Sequence, residues 1–314
     1  MAAADAAPLL SVIVPVRADP RLADCLAALR RQSLDRDGFE IVVADNEPAE
    51  AVRLLAARFE ARYVAAPEGG SYAARARGAA EARGDVLVFT DADCVAPRDW
   101  LAAIDKLFTD PECLVAIGPS SGTNRSTVAR WVHAIDEDRW NRLRTSNDVA
   151  FCDTRNLAIR RDVLMVVPFD PLFRQAGDVD LGVRLFARGI PIRLEPSMVV
   201  VHDDPTSLRL VLRRGIRRGR GVALLERKHG DRFAGSIGAR PLRIGRWDAK
   251  ATVLRWGRRT PFRQLIVGVS WCVIAALFTA LSVVARLPGG AGRTGLRAFV
   301  VFERLTLLIG RLSG

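Results

Sequence analysis

Two hydrophobic rhythms take turns along the first third of this chain. Leu9–Val16 (LLSVIVPV), Phe39–Ala44, Arg62–Ala65 and Asp85–Thr90 are short apolar runs rich in β-branched residues. Runs of that length and composition, closed by polar turn formers, predict buried strands. Between them Arg21–Gln32 places Leu22, Cys25, Leu26 and Leu29 at helical spacing. Ala49–Glu60 and Ser71–Ala82 read as further helices, the second entered through Gly69-Gly70. Strand–helix alternation of this kind implies an α/β fold, a parallel sheet with covering helices. Beyond residue 94 the pattern predicts helices at 100–108, 126–143 and 178–188. It predicts strands at 113–117, 150–159 and 197–201. The chain has no internal repeat and no low-complexity tract.

In such sheets ligands bind beyond the carboxyl ends of the strands. Arg17, Asp45, Asp91 and Asp93 each follow a strand run, so the fold class turns them toward one crevice. Asp91-Ala92-Asp93 sets two carboxylates on alternate residues, hard oxygen donors that suit Mg²⁺ or Mn²⁺ bridging a diphosphate. Taken alone these three residues are more often a solvated turn, and their place at a buried strand end raises the metal reading. His202, closing the 197–201 run, becomes a third ligand if the fold brings Asp93 beside it, and imidazole suits Mn²⁺ better than Mg²⁺. The glycine pair opening the helix at 71 can present backbone N–H groups to an anion, with Arg75 or Arg77 adding charge. Asp178 and Asp180 stand at a helix start, where acids commonly cap free N–H groups. The other role open to one of them is that of a general base toward a hydroxyl.

Composition narrows the classes. The 314 residues are 49% apolar and 26% charged, which excludes a disordered chain, a collagen-like chain and a protein made wholly of membrane helices. Five cysteines without a C-x-x-C pair exclude a zinc ribbon and suit a reducing compartment. The net charge of +12 is unevenly placed: residues 205–263 hold 17 Arg and Lys against Glu226, Asp231 and Asp248. Such a segment can bind nucleic acid, form a solvated face or meet anionic lipid. No nucleic-acid reader motif accompanies it, and no nucleic-acid partner is expected. Directly after it, Gln264–Ala285 is 22 residues without a charge. That length suits a membrane-crossing helix, a helix inserted in one leaflet, or a buried core helix. The adjoining cations favour the membrane readings and place the preceding chain on the cytoplasmic face. Residues 1–8 lack the basic start and apolar stretch of a secretory signal. The expected layout is therefore 1–204 catalytic, 205–263 basic and helical, 264–286 transmembrane or membrane-inserted, and 287–314 an amphipathic tail lying on a surface.

Six blocks in order carry a resemblance: SVIVPVR (11–17), FEIVVADN (39–46), GGSYAARARGAAEARGDVLVFTDADC (69–94), TRNLAIRRDVL (154–164), GDVDLGVRLFARGIPI (177–192) and VVVHDD (199–204). The chain resembles the inverting glycosyltransferases of family 2. The resemblance implies the GT-A fold, a Rossmann-like mixed sheet with covering helices, followed here by basic and membrane-associated helices. It implies that Pro15, Val16, Arg17, Asp45, Arg75, Asp91 and Ala92 bind a nucleotide-diphosphate sugar. Asp93, His202 and Asp91 would hold Mn²⁺ or Mg²⁺, and Asp178 would be the catalytic base. Asn156 and Asp180 would lie on the acceptor side, the acceptor being a glycan or a lipid-linked molecule of the cell envelope. Two positions depart from the family pattern: Gly177 stands where a Glu is usual, and Ala76 where Asn is frequent. A nucleotidyltransferase would need a Gly and Lys signature after Val16 that is absent here. An inactive membrane-bound scaffold or lipid-binding protein on the same fold is the other alternative.

Overall fold

The computed structural model describes residues 10–67, 69–123, 125–145, 149–230, 243–244, 247–248, 260–285 and 292–313. The chain divides into two compact units, residues 1–123 with 140–203, and residues 124–139 with 204–314.

The first unit is built on a seven-stranded sheet. β1 (Leu10–Val16), β2 (Phe39–Asp45), β3 (Arg62–Ala65) and β4 (Val86–Thr90) fall where the hydrophobic pattern predicts them. β5 (Cys94–Val95), β6 (Val115–Ile117), β7 (Ser120–Gly122), β8 (Asn156–Arg160), β9 (Arg193–Leu194) and β10 (Val200–His202) follow. The order across the sheet is β3-β2-β1-β4-β8-β6-β9. β1 pairs in parallel with β2 and β4, as expected, whereas β8 runs antiparallel to both β4 and β6. The sheet is therefore mixed. The strand expected from residue 150 begins only at Asn156; the six residues before it form no ladder.

The ladders set up a cleft. β4 pairs only with Leu10–Ile13, so the last three residues of β1 run on without it. Pro15, which has no N–H to donate, falls where β1 has lost its β4 partner but is still in register with Ala44 of β2. The strand order reverses between β1 and β4, and in sheets of this class ligands bind in the crevice beyond the strand ends at that point. α1 (Leu22–Arg30) closes one face with Leu22, Leu26 and Leu29, all fully buried. Each contributes on the order of 2 kcal/mol by leaving water. α2 (Glu50–Arg58) and α4 (Trp100–Phe108) add to the same core. α3 (Ser71–Glu81) lies closest to the sheet: a Cβ at Gly78 would stand 2.8 Å from Ile13 Cγ2. Ahead of it Gly69 and Gly70 adopt φ of 88° and 82°, a region that L side chains rarely enter. α5 (Thr127–Arg144), α6 (Arg161–Val166) and α7 (Gly177–Phe186) complete the helices up to residue 203.

The second unit packs α8 (Leu208–His229), α9 (Thr260–Val284) and α10 (Arg293–Ser313) with the first part of α5. Trp131, Leu208, Val211, Ile274, Leu281, Phe299, Phe302 and Ile309 form its core. α8 and α10 touch backbone to backbone, because a Cβ at Gly219 would stand 2.1 Å from the Leu307 carbonyl oxygen and one at Gly310 2.0 Å from that of Ile216. Arg311 and Glu226 pair at 2.6 Å across the same contact. The tail expected to be amphipathic is a helix with one face packed inward and Arg297, Val301 and Arg304 exposed on the other. Phe299, Phe302 and Thr306 are completely buried, since the α8 glycines admit α10 into the core. α9 likewise turns Ile274 and Leu281 inward, while Val269, Val273 and Val283 are exposed. Among the described residues no helix is long and apolar enough to cross a membrane. Of the basic segment, residues 208–229 are helical, and Arg243–Ile244 pairs antiparallel with Trp247–Asp248. The rest of 231–259, and Arg286 to Ala291, lie outside the described residues.

Candidate active site

Asp91 and Asp93 leave the end of β4, and two short ladders decide what faces them. β5 pairs antiparallel with β10, setting His202 opposite Cys94. The Asp203 N–H donates to the Asp93 carbonyl at 3.1 Å and extends that register. As a result His202 Nε2 lies 3.5 Å from Asp93 Oδ2, with the imidazole 3% exposed. A partly buried carboxylate and a buried imidazole at that spacing are a hard and a borderline donor side by side, which suits Mn²⁺. Asp91 does not join them. Its carboxylate is held by the Arg75 guanidinium. Among the described residues no three His, Cys, Asp or Glu side chains are grouped as a metal site. Of the three expected ligands, the structure brings Asp93 and His202 together, while Asp91 meets Arg75. A pair is sufficient for an ion that takes its remaining ligands from substrate phosphates and water.

Arg21, which sequence reasoning missed, braces this corner. It bonds Asp19 at 2.7 Å and Asp203 at 2.9 Å, and approaches Asp93 to 3.5 Å. The side-chain bond from Arg21 lowers the Asp19 carboxyl below the ordinary value, and the surrounding acids raise the Arg21 guanidinium further. Its signal in the sequence is slight, an Arg at the start of an amphipathic helix.

A second cluster grows from α3. Tyr72 and Arg75 lie one turn apart on its buried face, and the Arg75 guanidinium sits 5.2 Å over the Tyr72 ring. Arg75 is 4% exposed, and its Nε is buried without a partner. The Tyr72 hydroxyl donates to Asp178 Oδ1 at 2.8 Å. The same oxygen accepts the Val179 N–H at 2.9 Å, and Thr154 N stands 3.5 Å from Oδ2. Burial pushes the Asp178 carboxyl above the ordinary carboxylate range, and the Asp153 charge pushes it further. The Tyr72 hydroxyl and Arg75 act the other way. Burial and Asp178 together hold the Tyr72 phenol well above its ordinary value, so it remains a donor. An acid with a raised proton affinity beside a cleft fits a general base.

The remaining expected residues divide. Asp45 is fully buried and accepts from the N–H groups of Glu47 and Ala49 and from the Tyr63 hydroxyl, which shapes the loop after β2. Asn46 beside it keeps a buried Oδ1 with no partner. Pro15, Val16 and Ala92 have buried side chains, and the Val16 carbonyl receives the Asn46 N–H. Arg17 is exposed and pairs with Glu47 at 3.0 Å. Asp180 is fully buried and bound by Arg184 at 2.7 Å, an intrahelical pair. The acceptor-side role expected of Asn156 is corrected. Its Nδ2 donates to the Pro119 and Met198 carbonyls and its Oδ1 accepts from Trp100, so the side chain ties β8 to its neighbours.

Carboxylates, an imidazole and a buried arginine gathered at the strand ends of a mixed sheet with this order define the nucleotide-sugar transferase class of α/β fold, GT-A. The chain belongs to glycosyl transferase family 2, whose family model matches residues 11–167. The pre-mycofactocin glycosyltransferase of Mycobacterium tuberculosis is 27% identical over 237 residues, 72% of this chain and 49% of that protein. Glycosyltransferase AglE of Haloferax volcanii is 26% identical over 205 residues, 62% of this chain and 67% of its own length. The chain thus spans from about half to two thirds of these curated relatives. Among solved structures, the mannosyltransferase PcManGT from Pyrobaculum calidifontis in complex with GDP-Man and Mn²⁺ superposes with a TM-score of 0.62 at 19% identity. That match covers 98% of this chain and 87% of the other. Glucosyl-3-phosphoglycerate synthase from M. tuberculosis in complex with phosphoglyceric acid gives 0.52 at 21% identity, covering 71% of this chain and 80% of the other. These likenesses establish the fold.

Proposed function

We propose that this protein transfers a sugar from a nucleotide-diphosphate sugar to an acceptor hydroxyl, with inversion at the anomeric carbon. The observation that carries the proposal is the 3.5 Å approach of His202 to Asp93 at the end of β4. Family membership and the Mn²⁺ and GDP-Man named for PcManGT support it. Asp93 and His202 would hold Mn²⁺ or Mg²⁺. A bound ion there would neutralise charge developing on the departing diphosphate. Arg75 keeps a buried positive charge beside Asp91 on the same side. Asp178 takes the proton of the acceptor hydroxyl. The acceptor oxygen forms its bond to the anomeric carbon on one face while the bond to the diphosphate oxygen breaks on the other. A single displacement of this kind inverts the configuration.

The acceptor is taken to be a glycan or a lipid-linked molecule of the cell envelope, met at the cytoplasmic surface of the membrane. Arg209, Arg213, Arg217 and Arg220 are exposed along α8 at nearly one-turn intervals. Such cations contribute about 1 kcal/mol each near an anionic bilayer. The exposed Val269, Val273 and Val283 of α9 suit insertion into one leaflet.

The test is release of nucleoside diphosphate from UDP-, GDP- and dTDP-sugars in the presence of Mn²⁺ and a crude lipid extract. Asp178→Asn is expected to lower the rate by about 100-fold or more. A wild-type protein inert toward every donor would point instead to the scaffold on the same fold. Full activity in Asp178→Asn would remove the assigned base.

A further inference from the structure

We propose that Tyr72 is a positioning residue that fills the place of a side chain at 177 and fixes which oxygen of Asp178 receives the acceptor proton. The inference deepens the functional reading above and rests on its assignment of Asp178. Gly177 is the first residue of α7, and a Cβ built there would stand 2.8, 2.9 and 3.0 Å from Cγ, Cδ2 and Cδ1 of the Tyr72 ring. Contacts that short are not tolerated, and the obstacle is a rigid ring rather than the end of a flexible chain. Phe169 bounds the ring at 5.9 Å between centroids, Arg75 lies over it at 5.2 Å, and Tyr72 is 7% exposed. The ring therefore has no open side into which to retreat from a larger residue 177. Its position in turn delivers the hydroxyl to Asp178 Oδ1 at 2.8 Å. With Val179 N–H on the same oxygen, Oδ1 already accepts two bonds. Among the described residues Oδ2 has only the 3.5 Å approach of Thr154 N, so it is the oxygen left for an incoming hydroxyl.

Position 177 is one of the two places where the sequence departs from the pattern it resembles, and this departure has a local partner. A glycine at 177 and a tyrosine at 72 are one arrangement, made across 105 residues of sequence. The groups that face Asp178 include Tyr72, Arg75, Asp153 and the Cys152 thiol, together with the Val179 and Thr154 amides. Of these, Tyr72 is the neutral side chain that donates to Asp178 and the natural one to remove.

The experiment compares wild type, Tyr72→Phe and Gly177→Ala in the full chain. The titration of Asp178 is followed by difference infrared spectroscopy against Asp178→Asn, alongside kcat and the donor KM. Tyr72→Phe keeps the ring and removes the hydroxyl that favours ionised Asp178. The carboxyl should then titrate at higher pH, and kcat should fall about tenfold, the size of one bond to a charged group, with donor KM unchanged. Gly177→Ala should reproduce the upward shift by displacing the ring. An Asp178 titration that stays in place in Tyr72→Phe would overturn the proposal, as would wild-type behaviour of Gly177→Ala. Because the infrared readout needs no turnover, the two readings separate. A shifted titration in a protein that transfers no sugar would retain the Tyr72 contact and remove the glycosyltransferase reading.

Discussion

Replacing Asn156 by Leu separates a strut from a ligand. The side chain is 1% exposed and makes three hydrogen bonds, to the Trp100 indole at 3.0 Å, to the Pro119 carbonyl at 2.9 Å and to the Met198 carbonyl. Leucine has the same number of side-chain heavy atoms in a similar branched shape, so the change removes the bonds without opening a cavity. Trp100 is 2% exposed and Met198 fully buried, so the indole N–H and the Met198 carbonyl would be stranded away from water. A stranded buried group costs about 1–3 kcal/mol, and the half-buried Pro119 carbonyl costs less because solvent can reach it. The total is about 3–5 kcal/mol, a large share of the roughly 5–15 kcal/mol that holds a domain folded. Urea unfolding followed by tryptophan fluorescence should show a stability lowered by that amount, with a lower midpoint and an unchanged slope. In the folded fraction the acceptor KM should match wild type. A loss under about 1 kcal/mol combined with a raised acceptor KM would refute the strut and restore the acceptor-side role.

Three further outcomes follow from other parts of the molecule. The raised Asp178 carboxyl must be ionised to act as a base, so activity should fall below a pH higher than ordinary carboxylates show. Asp153→Asn removes one cause of that shift and should move the acid limb of kcat/KM to lower pH. Ala176, at φ 62° and ψ 22°, holds a left-handed conformation that disfavours any side chain. Ala176→Gly should stabilise the protein by about 0.5–1 kcal/mol in urea unfolding, the relief of strain being partly offset by the entropy of the glycine. Gly219→Val would press a side chain onto the Leu307 carbonyl and the Arg311 N–H, the latter 2.7 Å from a Cβ at that position. The α8–α10 contact should then open, detected as faster proteolysis within residues 208–229 and 293–313.

Much of the first unit was legible because its elements are written in local patterns. β1 to β4 and the helices between them were marked by apolar runs and turn residues, and α4 falls on its expected bounds. β5, β7 and β9 are only two or three residues long and owe their existence to partners elsewhere in the chain, so no periodicity announces them. The pairing of Asp93 with His202 was foreseeable as a condition, yet only the β5–β10 ladder fulfils it. The Arg75 contact of Asp91 was not legible, because a D-x-D pattern does not reveal the arginine that one of its carboxylates meets. Asn156 was misjudged for a similar reason, since the Trp100 indole that occupies it is 56 residues away. Tyr72 and Arg21 act through contacts across the fold, and neither residue type at those spacings signals such a role. In the second unit the apolar content of 299–309 was plain, but which way it faces was decided by the glycines of α8.

The central claim is a donor site in which Asp93 and His202 hold a divalent ion against a nucleotide diphosphate. Calorimetric titration of the full chain with UDP, GDP and dTDP, each with and without Mn²⁺, tests it most directly. One nucleotide should bind in a Mn²⁺-dependent manner, and both Asp93→Ala and His202→Ala should abolish that dependence while leaving the far-UV circular dichroism unchanged. Nucleotide binding that is equally tight without metal, or that retains its Mn²⁺ dependence in both variants, would contradict the account.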